Sequence, residues 1–431
     1  MAMRAPTLAR AGACDPPLSV EFSCRSHLRL YEPMHMPRSI YLDYQSTTPT
    51  DPRVKARMME LLERENVGNP HSQHFAGRRT ASAVEAARQS VADLVGADPD
   101  EIVFTSGATE ANNIAIQGIA KATPPTRRHF VTSAVEHKCV LETFEYLKTL
   151  GFDVDVLPVD ENGLIDVALL EAVMTERTAL VSVMSANNEI GSVQPLERIG
   201  RMCRERGAVF HTDAAQAAGK IAFDVRCVGA DLVSLSGHKI YAPIGIGALF
   251  VSAECPIRPL PLFHGGGQES RLRPGTLPAH LAVAMGEAAE LARKELDRDR
   301  DQASMLRSAF LNAVRTRCPE IRINAEAAPR IPGNLSMTIP GVDADRLVGA
   351  LQPDLAISTN AACSSGVMEP SHVLLAIGLS REDAESTVRI GFGRFNTLEE
   401  VLAAADLLSS RIEQIGGKRV ETAGDLRRAG A

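Results

Sequence analysis

Short runs of β-forming residues alternate with longer helical stretches between residues 101 and 251. The β-rich runs cover residues 101–105, 129–132, 154–157, 179–183, 209–211, 232–235 and 247–251. Most of them are separated by about ten or more residues with helical character, which is typical of βαβ units. The pattern therefore predicts an α/β fold, in which a mostly parallel sheet is covered by helices.

The pattern changes after Gly275. Residues 279–316 predict one long helix or a broken pair, and shorter strands (334–339, 387–392) and helices (343–351, 371–378, 398–414) follow. This indicates a second, smaller α+β domain beside the first. The predicted organisation is an N-terminal extension at 1–38, a large domain at 39–275, a long helix with the small domain at 276–415, and a loose tail at 416–431; residues 39–50 could pack with the small domain.

The N-terminal extension has no continuous apolar segment, so a secretory signal is not expected. A disordered tail or an upstream start codon is the favoured interpretation. A transit peptide is the alternative, and the acidic residues Asp15, Glu21 and Glu32 argue against it.

Composition narrows the class of protein. The chain has 431 residues, of which 45% are hydrophobic, and a net charge of −7; this is typical of a soluble protein of about two domains and argues against a dedicated nucleic-acid binder. No apolar stretch reaches the roughly 18 residues of a membrane span. The eight cysteines are scattered without a C-x-x-C pair, which favours reduced thiols in a cytoplasmic enzyme over disulfides or a metal site.

Lys239 and Asp213 form the most informative pair of residues. Each follows an apolar run, and 26 positions separate them (239 − 213 = 26). An enzyme that uses pyridoxal phosphate needs a lysine to bind the aldehyde and a buried carboxylate to keep the pyridine nitrogen protonated. The pair therefore predicts a pyridoxal phosphate site.

Two further segments come directly after predicted strands. Ala108 and Thr109 open a helix, whose free backbone N–H groups suit a phosphate; an ordinary helix cap is the alternative. His137 lies where α/β enzymes place ligands, so it could stack on a pyridine ring and move protons. A lone histidine at a strand end is otherwise a capping or surface residue.

Amide side chains are candidates for the phenolic oxygen of the cofactor. Asn188 follows the run at 179–183, and Gln216 follows Asp213 closely. Either could donate a hydrogen bond to this oxygen, and either could instead hold a turn. Spacing alone does not separate these roles.

Cys363 is the candidate nucleophile, because small residues flank it in a predicted exposed loop, unlike a buried structural cysteine. Cys139, close to His137, is the rival.

Arg389 and Arg394 are candidates for binding a substrate carboxylate in bidentate fashion, and a surface salt bridge is the alternative for both.

The motifs together resemble the cysteine desulfurases of the NifS/IscS type, in the class V aminotransferase group. The resemblance runs from about residue 41 to about residue 415. It is carried by Tyr41-Leu42-Asp43-Tyr44, Gly68-Asn69-Pro70, Ser106-Gly107-Ala108-Thr109-Glu110, Glu136-His137-Lys138, Asn187-Asn188-Glu189-Ile190-Gly191, His211-Thr212-Asp213-Ala214-Ala215-Gln216, Ser236-Gly237-His238-Lys239, His264-Gly265-Gly266-Gly267-Gln268-Glu269, Gly275-Thr276-Leu277 and Glu369-Pro370-Ser371.

The resemblance implies the fold of type I pyridoxal phosphate enzymes and a role for each matching residue. Lys239 would carry the cofactor, Asp213 would pair with the ring nitrogen, and His137 would stack on the ring. The remaining implied roles are phosphate binding by Ala108, Thr109, Ser236 and His238, phosphate binding across a homodimer interface by Thr276, contact with the phenolic oxygen by Asn188 and Gln216, and substrate binding by Arg389 and Asn69.

The implied activity converts L-cysteine to L-alanine and leaves the sulfur as a persulfide on Cys363, for delivery to an acceptor protein. Departures from the usual motifs, such as Asn360-Ala361-Ala362-Cys363-Ser364-Ser365 around the nucleophile, leave the acceptor open among iron–sulfur assembly, tRNA thiolation and DNA phosphorothioation. No direct nucleic-acid binding and no metal are expected. A selenocysteine lyase or an aminotransferase on the same scaffold is one alternative, and a non-catalytic sulfur-transfer scaffold is another.

Overall fold

The computed structural model describes residues 39–64, 67–359, 362–364 and 367–416. The predictions for residues 1–38 and for the tail from 417 onward lie outside the described residues. The strands are β1 (Ile40–Tyr41), β2 (Ile102–Thr105), β3 (His129–Ser133), β4 (Asp153–Leu157), β5 (Thr178–Ser182), β6 (Val209–Asp213), β7 (Leu232–Ser236), β8 (Gly247–Val251), β9 (Arg322–Ile323), β10 (Asn334–Thr338), β11 (Leu355–Ala356), β12 (Ser358–Thr359), β13 (Ala362–Ser364), β14 (Val367–Glu369) and β15 (Thr387–Gly391). The helices are α1 (Pro52–Leu62), α2 (Phe75–Val95), α3 (Ala108–Ala122), α4 (Lys138–Thr149), α5 (Val167–Val173), α6 (Leu196–Arg206), α7 (Val225–Val228), α8 (Ala279–Arg317), α9 (Ala344–Leu351), α10 (His372–Ala376), α11 (Arg381–Glu385) and α12 (Leu398–Gly416).

The largest sheet has seven strands in the order β2-β8-β7-β6-β5-β3-β4. Strands β4, β3, β5, β6 and β7 run parallel, and β8 is antiparallel to both of its neighbours, β7 and β2. The predicted α/β architecture with a mostly parallel sheet is confirmed. The direction of β8 brings the carboxyl ends of β2 and β7 beside its amino end.

Helices cover both faces of this sheet. Along β6, Val209 packs into one hydrophobic cluster and Phe210 into another, as the alternation of side chains in a strand requires. Helices α3 and α4 supply Ile114 and Val140 to the first cluster, while α2 and α8 pack against the other face. Because both faces are covered, the central strands β5, β6 and β7 are buried at every residue, including their polar ones.

A second hydrophobic core surrounds the antiparallel sheet β12-β15-β10-β9. The single helix α8 joins the two cores, since Met285 packs in the first and Phe310 in the second. Strand β1 pairs with β11, and Leu42 packs in this second core. The division into two domains stays a prediction.

Element boundaries differ from the predicted ones by one or two residues. Glu101, predicted in a strand, lies instead in a 3₁₀ turn, where its buried carboxylate accepts the backbone N–H of Asp98 and pairs with Arg226. The helix predicted from 371 begins at His372, because the hydroxyl of Ser371 caps it. Within the described ranges, no helix is both long enough and apolar enough to cross a membrane.

Candidate active site

A cavity of about 500 Å³ opens at the carboxyl ends of the parallel strands. This is where α/β proteins place ligands, because the loops that follow adjacent strands meet there. Its lining includes the following residues predicted from the sequence: Ala108, Thr109, His137, Asn188, Asp213, Gln216, Ser236, His238, Lys239 and Arg389.

Lys239 ends the 3₁₀ turn that follows β7. Its Nζ donates to the backbone oxygens of Gln45 (2.5 Å) and Ser46 (2.6 Å). Burial and, to a smaller extent, the charge of Arg389 lower the pKa of Lys239 to about 8, although Asp213 opposes the shift. A substantial fraction of this amine is therefore neutral, and able to attack an aldehyde, near physiological pH.

Asp213 is the last residue of β6, and it is only 6% exposed. Its Oδ1 accepts the backbone N–H of Ala215 (2.9 Å), and its Oδ2 accepts Nδ2 of Asn112 (2.7 Å). Hydrogen bonds from two fixed donors hold the carboxyl group in one orientation. The cavity thus holds a lysine and an oriented carboxylate, as the sequence predicted.

His137 immediately precedes α4, and its ring lines the cavity. Its Nδ1 accepts the backbone N–H of Cys139 (3.2 Å) and lies 3.0 Å from the Sγ of the same residue. Burial lowers the pKa of His137; Asp213 opposes this shift, and Lys239 adds to it. The imidazole is therefore mainly neutral, with Nδ1 as an acceptor.

Two loops provide the groups that suit a phosphate. Ala108 and Thr109 begin α3, whose N-terminus has no side-chain cap among the described residues, so it offers free N–H groups and a positive dipole end. Ser236 ends β7, and Nδ1 of His238 lies 3.1 Å from Oγ1 of Thr47. Burial, together with Lys239 and Lys220, lowers the pKa of His238 to about 4, so its ring is neutral.

Gly247 lies between these two loops, since it pairs with Thr105 of β2 and with Ser236 of β7. A Cβ built on Gly247 would come 2.6 Å from Cα of Gly107. No larger residue fits here without moving the loop that opens α3.

Both candidate amides line the cavity. The Nε2 of Gln216 donates to the backbone oxygen of Gln45 (2.9 Å), and its Oε1 accepts Nζ of Lys220. The backbone oxygen of Asn188 accepts a hydrogen bond from Nη1 of Arg389 (3.5 Å). The second N–H of the Gln216 amide stays available to a ligand.

The structure separates the two candidate arginines. Arg389, on β15, lines the cavity and donates through Nη2 to Asp43 (3.0 Å), while its buried Nε has no partner among the described residues. Arg394 lies outside the lining, and its guanidinium is held by Asp51 and Asp299. Arg389 therefore has donors to offer to a carboxylate, whereas those of Arg394 are occupied.

Two further predicted residues, Asn69 and Thr276, are not among the described residues that line the cavity. Oδ1 of Asn69 accepts the backbone N–H of His71 (2.9 Å) in a turn. Thr276 was predicted to act across a subunit interface. Cys363 lies in β13 and pairs with Met368 of β14, so the backbone that was predicted to be a loop is a short hairpin here; its side chain lies outside the described residues.

Comparison with known proteins agrees with this geometry. The model of the family described as aminotransferase class-V matches residues 40–403. The chain belongs to this family.

Relatives of this class-V aminotransferase chain have more specific names. One relative is cysteine desulfurase IscS of Rickettsia rickettsii (strain Iowa), to which the chain is 47% identical over 377 residues. The alignment covers 87% of this chain and 92% of the relative. A solved NifS-like protein superposes with a TM-score of 0.80 at 35% identity, covering 88% of this chain and all (100%) of that one. A structure of SspA in complex with cysteine gives 0.72 at 36% identity, over 83% and 99% of the two chains. The fold predicted from the resemblance is confirmed.

Sequence reasoning missed Asn112 in this class-V aminotransferase chain and took Cys139 only as a rival nucleophile. Burial is the main factor that raises the pKa of the Cys139 thiol to about 11, so it is protonated near neutral pH and is a poor nucleophile. The available signal for Asn112 was its position one helical turn after Ala108, which places both on the same face of α3.

Proposed function

We propose that this chain is a pyridoxal phosphate-dependent cysteine desulfurase. It converts L-cysteine to L-alanine and keeps the sulfur as a persulfide on Cys363. The observation that carries the proposal is the convergence of Lys239, Asp213 and Arg389 on one cavity. The name of the 47% identical Rickettsia relative gives that protein the same activity.

The donor set of the cavity fits the cofactor. Pyridoxal phosphate needs a reactive amine, an acceptor for the pyridinium N–H, donors for the phenolic oxygen and an anion site. Lys239, Asp213, Gln216 and the N-terminus of α3 match these four needs, and the volume of about 500 Å³ suits a cofactor with a small amino acid. Asp213 suits the role of acceptor for the pyridinium N–H, because it is only 6% exposed and two hydrogen-bond donors hold its carboxylate in place.

When bound, pyridoxal phosphate supplies an electron sink at the substrate Cα. Lys239 would hold the cofactor through Nζ, and its amine would take the proton from the substrate Cα. Asp213 would keep the ring nitrogen protonated, and His137 would contact the ring. Arg389 binds the substrate carboxylate and exchanges part of its contact with Asp43 for it.

Cys363 then carries out the transfer of sulfur. Its thiolate attacks the substrate sulfur, the carbon–sulfur bond breaks, and the electron pair of that bond stays with the carbon that becomes the methyl group of alanine. The new sulfur–sulfur bond holds the product as a persulfide. Delivery of this sulfur to a nucleophilic acceptor restores the thiol.

The test compares Cys363→Ser with Cys227→Ser, a matched control because Cys227 is an exposed free thiol in α7. We expect the wild-type protein and the control to release alanine from cysteine and to carry labelled sulfur. Cys363→Ser should lose the label and nearly all turnover with cysteine. Full turnover in Cys363→Ser would instead favour a selenocysteine lyase or an aminotransferase, and a purified protein that binds no pyridoxal phosphate would favour a non-catalytic scaffold.

We also propose a homodimer, in which Thr276 of one subunit reaches the phosphate of the other, and a cytoplasmic location. Cys139, Cys203, Cys255 and Cys318, like the control cysteine, are free thiols, which suits a reducing compartment. The acceptor is a protein of iron–sulfur assembly or of nucleic-acid thiolation. Sulfur-labelled cysteine, followed into each candidate acceptor, decides between these pathways.

A further inference from the structure

Asn112 lies on α3 behind the predicted ring-nitrogen carboxylate. Its side chain has no solvent exposure (0%). Its Nδ2 donates to Oδ2 of Asp213 (2.7 Å) and to Sγ of Cys139 (3.2 Å). No other side chain among the described residues donates a hydrogen bond to this carboxylate.

The chemistry of the partners fixes the orientation of the Asn112 amide. An ionised carboxylate only accepts, so Nδ2 rather than Oδ1 must face Asp213. The cost of this orientation is visible, because Oδ1 of Asn112 is buried without a partner among the described residues. A buried amide that leaves its own oxygen unpaired while both contacts on Nδ2 are made is oriented for donation.

The second contact on Nδ2 extends this arrangement to His137. Burial is the main factor that raises the pKa of the Cys139 thiol to about 11, so the thiol is protonated near neutral pH. Its Sγ accepts from Asn112 and lies 3.0 Å from Nδ1 of His137, which also accepts the backbone N–H of Cys139. A continuous set of polar contacts therefore joins Asp213 to His137 through Asn112 and Cys139.

We propose that Asn112 is a positioning residue that keeps the carboxylate of Asp213 directed at the pyridine nitrogen of the cofactor. The inference rests on the proposed function, because it assigns Asp213 its role at the ring. Asn112 itself touches neither cofactor nor substrate. Its effect reaches the ring only through the carboxylate.

Two variants separate this role from simple packing. Asn112→Leu keeps the branched arrangement of side-chain heavy atoms but removes the donor. Asn112→Asp keeps the shape, and its buried carboxyl can donate an O–H to Asp213 only while it is protonated. Asn113→Asp is the matched control, because it adds the same charge one residue along α3, where Asn113 bonds to Thr109 and Gln117 and not to Asp213.

The charged and titratable groups that face this pair come from several elements. Cys139 and His137 belong to α4 and its cap, Lys239 follows β7, and the buried carboxyl of Glu136 lies close enough to Asp213 to interact with it. All of them are present in each variant. Ratios of variant to wild type at the same pH therefore isolate position 112.

The measurement is the dissociation constant of pyridoxal phosphate at about pH 6 and about pH 8, together with the thermal midpoint of each apo-protein. We expect Asn112→Leu to weaken binding roughly 10- to 100-fold, the range for a hydrogen bond to a charged group. For Asn112→Asp, the ratio of the variant's dissociation constant to that of the wild type should rise at least about fivefold from the lower to the higher pH, because the introduced carboxyl group ionises. The ratio for Asn113→Asp should not change.

A change within twofold for Asn112→Leu, with an unchanged thermal midpoint, would overturn the proposal. So would a ratio for Asn112→Asp that is flat or falls as the pH rises, whatever happens to the stability of Asn112→Leu. Binding of pyridoxal phosphate by the wild-type protein tests the proposed function separately. If the wild type binds and the variants do not respond, only the role of Asn112 fails.

Discussion

The pKa of Lys239 makes a quantitative prediction about how the apo-protein captures its cofactor. Only a neutral amine attacks an aldehyde. With a pKa of about 8, roughly a quarter of Lys239 is neutral at about pH 7.5, against roughly one in a thousand for a lysine at its usual value near 10.5. Burial therefore raises the concentration of reactive amine by about two orders of magnitude.

The assay follows the visible absorbance of lysine-bound cofactor after rapid mixing of apo-protein with pyridoxal phosphate, between about pH 6.5 and pH 10. The second-order rate should rise with pH and level off, with a midpoint near 8. Lys239→Ala should give no such band. A midpoint close to 10, as for a solvated lysine, would refute the argument that burial sets this pKa.

Two neighbouring charges allow a sharper test, because they act on Lys239 in opposite directions. Arg389 lowers its pKa and Asp43 raises it. Arg389→Gln should therefore move the midpoint up, and Asp43→Asn should move it down, each by a fraction of a unit to about one unit. Shifts in the same direction would show that rearrangement of the cavity, and not charge, controls the amine.

Other substitutions test the arginines and the cores. Arg88→Met leaves the buried carboxylate of Glu269 without its bidentate partner (2.7 and 2.8 Å) and should lower the free energy of unfolding by about 3–5 kcal/mol in urea; a loss below about 1 kcal/mol would contradict this. Arg389→Lys should raise the KM for cysteine about tenfold or more without moving the urea midpoint, whereas Arg394→Lys should lower the midpoint and spare the KM; the reverse result would exchange their roles. Phe310→Ala, at a fully buried position (0% exposed), should cost about 3–5 kcal/mol with turnover retained in the folded fraction.

The parallel part of the fold could be predicted because its strands are buried on both faces. Each central strand contains a short run of β-forming apolar residues, such as Leu180-Val181 in β5 and Leu232-Val233 in β7, which stands out from the helices between the strands. The direction of β8 could not be predicted, since an apolar run of five residues has the same pattern whether it is parallel or antiparallel. Glu101 was placed in the strand because its local capping box with Asp98, which forms the 3₁₀ turn, was overlooked.

The candidate site was predictable where a residue type lies at or shortly after the carboxyl end of a strand. Asp213 ends β6, Lys239 ends the turn after β7, and His137 lies between β3 and α4; all three line the cavity. Asn112 was not predictable, because an asparagine inside a helix shows its purpose only once its two acceptors are in place. The choice between the arginines likewise needed the structure, since what distinguishes Arg389 is which of its donors are free.

Gly247 carries one further consequence. It lies between the two turns proposed to bind the phosphate, and Cα of Gly107 occupies the place that a methyl group on residue 247 would need. Even the change to alanine would wedge those turns apart and spoil both at once, although alanine carries no charge and no reactive atom. Gly247 has no side chain that could take part in chemistry, so a search for reactive residues would not select it. Even so, we expect cofactor binding to tolerate substitution of Gly247 as poorly as substitution of Lys239.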